Sequence, residues 1–113
     1  MNKTGIPESV KKEVIKVIED YNKVIYSHLD SVEYLAEFKG NNLYLKRKEI
    51  TGDISPMVRL TYTGKMDKWK FAIYKHSSGS YDSDECFFPG SEFVNGTIMG
   101  ALKAGDKAYP VDF

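Results

Sequence analysis

The sequence predicts an α+β domain with an N-terminal helix, a four-stranded antiparallel β-meander and a short C-terminal helix. Three observations predict it. Apolar residues recur at helical spacing from Val10 to Ile25, alternating segments flank short turns between residues 31 and 76, and small residues mix with apolar ones after Thr97. At 113 residues the chain has the length of one domain, and such a domain buries about two-thirds of the surface its unfolded form exposes. Apolar residues at 42% and aromatics at 13% can fill one core without a disulfide or a metal, so folding needs no cofactor and none is expected.

Pro7 and Glu8 suit a first helical turn, where proline's missing N–H is no loss and an acid meets the positive end of the helix dipole. Val10, Val14, Val17, Tyr21 and Ile25 then form one stripe, widened by Ile18 and Val24. The spacing predicts an amphipathic helix over about 8–29, with Lys12, Lys16, Glu19 and Lys23 on its wet side.

In SVEYLAEFK, Val32, Tyr34, Ala36 and Phe38 alternate with Glu33, Leu35, Glu37 and Lys39, the period of a half-buried strand. Gly40-Asn41-Asn42 reads as a turn. NLYLKRKEI returns with Leu43 and Leu45 on one side and Tyr44, Lys46 and Lys48 on the other. After a loop over 51–56, MVRLTYTG sets Val58, Leu60 and Tyr62 against Arg59, Thr61 and Thr63. A turn at 64–67 leads to KWKFAIYKH, where Trp69, Phe71 and Ile73 oppose Lys68, Lys70, Ala72 and Tyr74.

Residues 76–96 read as irregular. TIMGALKAGDKAYP follows as a short helix, ending at Gly105 or at latest at Pro110. Gly100 lowers its intrinsic stability by about 1 kcal/mol relative to Ala, so packing must support it. Gly100, Ala101 and Ala104 are small enough for a close approach to a neighbouring backbone.

From Val58 to Pro110 the segments KWKFAIYK, YDSDECFFPG and NGTIMGALKAGDKAYP follow one another, and this half of the chain resembles small uncharacterised bacterial and archaeal proteins of a domain-of-unknown-function kind. The resemblance implies a helix, a β-meander, an acid-aromatic loop and a small-residue helix. It implies no activity, ligand or site residue.

The sixteen basic and sixteen acidic residues balance, which removes the global electrostatic argument for nucleic acid. No segment approaches the roughly 20 apolar residues that cross a bilayer, so no membrane contact is expected. A single Cys86 and an N-terminus without a signal-type apolar stretch point to a cytoplasmic setting.

YDSDECFFPG concentrates the local chemistry. Asp82, Asp84 and Glu85 are candidate oxygen ligands for a hard cation, although the spacing up to Glu92 does not match a helix-loop-helix calcium loop. Otherwise they form a solvated turn. Cys86 could act as a thiol nucleophile with His28 or His76, but neighbouring acids oppose thiolate formation and Phe87 and Phe88 favour burial. The segment reads best as a plug in which the two phenylalanines cap the core and Pro89-Gly90 turns the chain toward the last helix.

The polar sheet face is the other candidate. Tyr44, Lys46, Lys48, Arg59, Lys68, Lys70 and Tyr74 combine cations with aromatics, a pattern that serves single-stranded nucleic acids and also describes a solvated sheet face. Glu33 and Glu37 dilute its charge, and Leu35 adds an apolar contact. The expected function is a small binding or assembly module that takes a protein partner or forms a homodimer. The alternatives are single-stranded nucleic-acid binding through that face, and a metal-dependent or thiol enzyme built on residues 81–92.

Overall fold

The computed structural model describes residues 5–25, 32–75, 78–82, 88 and 90–109. Helix α1 (Glu8–Ile25) precedes β1 (Glu33–Lys39), β2 (Asn42–Lys48), β3 (Ile54–Thr61), β4 (Lys70–Lys75) and β5 (Ser80–Asp82). A 3-10 turn (Ser91–Phe93) and helix α2 (Ile98–Ala108) follow. The strands form one antiparallel meander in the order β1-β2-β3-β4-β5. The α+β class and the strand faces agree with the sequence, while the sheet has five strands where four are predicted.

The fifth strand corrects the reading of 76–96 as irregular. Gly79 turns the chain after β4, and Ser80, Tyr81 and Asp82 pair with Lys75, Tyr74 and Ile73. Three residues are too few for a visible alternation, so pairing with β4 makes this strand. A second correction concerns 51–56, where β3 already begins at Ile54. Pro56 tolerates this place because it sits at a bulge: Leu45 pairs with Val58 and Lys46 with Pro56, leaving Met57 without a partner of its own. The extra residue turns inward. Met57 and Val58 are both fully buried in consequence, whereas strict alternation would put one of them outside.

Both helices cover the same face. Val14, Ile18 and Tyr21 of α1 and Ile98, Ala101 and Leu102 of α2 join Tyr34, Leu43, Leu45, Val58, Leu60 and Ile73 in one apolar cluster. A fully buried Leu or Ile of this kind contributes about 1.5–3 kcal/mol. Thr97 caps α2 by accepting from the Gly100 N–H at 3.0 Å. The expected close approach to a backbone occurs at Gly100, where a side chain would fall 2.3 Å from the Phe93 carbonyl oxygen; Gly105, outside that expectation, packs as tightly, and a side chain there would fall 2.6 Å from Tyr34 Oη.

The plug is seen in part. Phe88 stacks on Phe71 with centroids 5.7 Å apart and packs against the core. Gly90, at φ 105°, turns the chain so tightly onto α2 that a side chain there would meet the Ala104 carbonyl oxygen at 2.5 Å. Phe87 lies outside the described residues, as does the stretch of the first helix predicted beyond Ile25.

Candidate binding face of the sheet

Strand alternation and register assemble the outer face. Glu37, Tyr44, Arg59 and Ala72 follow one another across β1 to β4, and Tyr74 faces Tyr81 across β4 and β5. Ala72 is the small member of this row. Tyr81 lies over the space it leaves, with its ring centroid 5.5 Å from that of Tyr44 and 5.2 Å from that of Tyr74, both at steep angles of 60° and 72°. Ala72 is therefore only 2% exposed although it lies on the face away from the helices.

Cations border this tyrosine ridge. The Arg59 guanidinium stands 5.6 Å over the Tyr81 ring, and Lys39 Nζ stands 5.9 Å from the centre of Tyr44. Lys46 donates to Glu37 at 2.6 Å, with Lys39 3.7 Å from the same carboxylate. The Lys46 hydrogen bond, followed by the Lys39 charge, holds the Glu37 carboxyl below its ordinary range. Burial, then the neighbouring Tyr44 and Tyr74, pushes the Tyr81 hydroxyl upward.

Tyr44, Lys46, Lys48, Arg59, Lys70 and Tyr74 all occupy outer positions of the ladder. Lys68 does not. It precedes β4, and its N–H bonds the Lys65 carbonyl within the turn. Leu35 is half-buried opposite Lys46, and Pro56 and the exposed Ile54 extend the apolar part of the face. Tyr81 is the residue that sequence reading missed. Its signal was the Gly79-Ser80 turn immediately before it.

Of the acidic loop, Asp82 does not join this face. Asp82 pairs with Ile73 and so takes the side of β5 opposite Tyr81. Asp84, Glu85 and Cys86 lie outside the described residues, as do His28 and His76. Among the described residues no three His, Cys, Asp or Glu side chains are grouped to hold a metal ion. No helix in them is long and apolar enough to cross a membrane.

A second polar cluster lies inside the core. Arg47 follows Leu43 and Leu45 on the inward side of β2 and is 3% exposed. Its Nε donates to Glu49 at 3.0 Å, and Nη1 donates to Asp106 at 2.9 Å and to the Tyr109 carbonyl at 2.6 Å. Tyr21 donates to the other Asp106 oxygen, and Tyr34 donates to the Leu102 carbonyl at 3.1 Å. These groups tie β2, α1 and α2 together and satisfy one another. A charge at a leucine-side position of NLYLKRK is the sequence signal for such a network.

No protein-family model, curated protein or solved structure matches this chain.

Proposed function

We propose that the protein is a binding module whose outer sheet face holds a protein partner. One observation carries this reading: Tyr44, Tyr81, Tyr74 and Arg59 form a connected, half-buried ridge on the face that neither helix covers. Tyrosine and arginine dominate the energetic centres of protein interfaces, since they bring large contact area with few rotamers to immobilise and a polar group at the end. Rings already held by one another lose little further freedom on association. Leu35, Pro56 and Ile54 enlarge the apolar area beside them.

Single-stranded nucleic acid is the second reading, supported by the cations among these rings. It is weakened by how the ring faces are used. A base stacks on an open aromatic face, whereas Arg59 covers one face of Tyr81 and Lys39 one face of Tyr44.

Photo-crosslinking in the native host tests the proposal, with benzoylphenylalanine placed at Tyr74 on the sheet or at Lys12 on α1. The expected result is a discrete protein adduct from Tyr74 and none from Lys12. Equal adducts from both positions, or nucleic acid as the crosslinked species, would overturn it.

A further inference from the structure

We infer that the partner offers an acidic segment that lies across the β3 to β5 half of the outer face, with carboxylates on Arg59 and Lys70 and apolar side chains on the tyrosine ridge. This rests on the reading of the face as a protein-binding surface. The distribution of charge carries it. On β1 and β2 acids engage the cations, Glu37 taking both Lys46 and Lys39 and Glu33 standing opposite Lys48, so two carboxylates offset most of the charge of three lysines. From Arg59 onward through β5 the outer positions are Arg59, Thr61, Lys70, Ala72, Tyr74 and Tyr81, without one acid. Asp82, the acid of β5, falls on the alternate side.

Arg59 and Lys70 form no ion pair among the described residues, and Arg59 rests on a ring instead. A guanidinium held over an aromatic ring keeps its planar donor fork free for a carboxylate, and half-burial strengthens that contact relative to an open surface. The protein as a whole is neutral, so the attraction is local to the sheet and strongest where no acid shares the outer ladder positions, which suits a short acidic stretch better than a long polyanion. The ridge beside it supplies the apolar contact that such a stretch needs for affinity, since exposed ion pairs alone add little.

Selection of a displayed library of random short peptides on the intact protein tests the inference. The enriched peptides are expected to be acidic with interspersed apolar residues. Their affinity is expected to fall about tenfold in Arg59→Gln, by a smaller factor in the exposed Lys70→Gln, and not at all in Lys12→Gln on α1. Lys70→Gln keeps the test valid should Arg59→Gln perturb the fold. Enrichment of neutral or basic peptides, or acidic peptides indifferent to both sheet variants, overturns the acidic partner. If the Tyr74 crosslink persists, the binding face itself still stands. A homothymidine oligonucleotide that displaces the selected peptides and binds more tightly overturns both readings, and a library yielding no enrichment overturns the inference.

Discussion

Arg47 and Asp106 meet at 2.9 Å across 59 residues of sequence, in a site where the arginine side chain is only 4% exposed. This pair joins the second strand to the last helix, and Asp106 also receives the Tyr21 hydroxyl from the first helix. Removing one member of a buried pair leaves a desolvated charge short of a partner. Asp106→Ala is expected to cost about 3 kcal/mol in urea unfolding. Lys16→Ala, which removes the exposed pair with Asp20 at 3.7 Å, should change stability by less than about 0.5 kcal/mol. Equal effects of the two variants would show that the buried pair does not fasten α2.

The same contact makes stability fall at alkaline pH. Burial, then the hydrogen bond to Asp106 and the charge of that carboxylate, holds the Tyr21 hydroxyl well above the ordinary tyrosine range, with Arg47 opposing weakly. The unfolded chain therefore loses this proton first, near pH ~10, while the folded chain retains it. The stabilisation is complete below that pH and declines as pH rises above it. In Tyr21→Phe the decline of the urea midpoint should become shallower without vanishing, because Tyr81 and Tyr109 are shifted in the same direction. An unchanged slope would remove Tyr21 from the linkage.

Gly105 gives a case where helix propensity points the wrong way. Alanine gains about 1 kcal/mol in an exposed helix interior, but here its methyl would stand 2.6 Å from Tyr34 Oη, 3.5 Å from Met57 and 3.5 Å from Val58. Tyr34 is 2% exposed and its hydroxyl is held by Leu102, so the ring cannot easily yield. Gly105→Ala should be net destabilising by about 1–3 kcal/mol in thermal or urea unfolding. A stabilised variant would mean that α2 can lift from the sheet at little cost.

Asn22 closes part of the β1 edge. Its side-chain oxygen accepts from the Tyr34 N–H at 2.8 Å while its amide nitrogen donates to the Tyr34 carbonyl at 3.2 Å, so one side chain replaces a neighbouring strand. Asn22→Ala should cost about 1–2 kcal/mol and speed hydrogen exchange at the Tyr34 amide. Asn22→Asp keeps the acceptor, so the Tyr34 amide should stay protected while stability still drops. Loss of protection in both variants would contradict this pairing.

Much of the fold was legible because Val10 to Ile25 and the segments 32–39, 42–48, 58–61 and 70–75 repeat their apolar residues at the period of the structure they adopt. The outer positions of Tyr44, Lys46, Lys48, Arg59, Lys70 and Tyr74 followed from that alternation. The Met57 bulge was hidden, since one inserted residue shifts the phase without changing composition. Tyr81 was hidden too, because a strand of three residues exists only through its partner. Arg47 carried a readable signal as a cation on an apolar strand face, but Asp106 and Tyr21 as its companions depend on how the helices dock. Lys68 looked like a strand residue because KWKFAIYKH alternates from its first position, whereas the ladder begins only at Lys70.

The most direct measurement is amide and side-chain NMR mapping of the intact chain titrated with the protein recovered by crosslinking at Tyr74. Perturbations are expected at Tyr44, Arg59, Tyr74 and Tyr81, with none along the α1 stripe of Lys12, Ile15, Lys16 and Glu19. A map centred on that helix stripe, with the tyrosine ridge unmoved, would contradict the outer face as the binding surface.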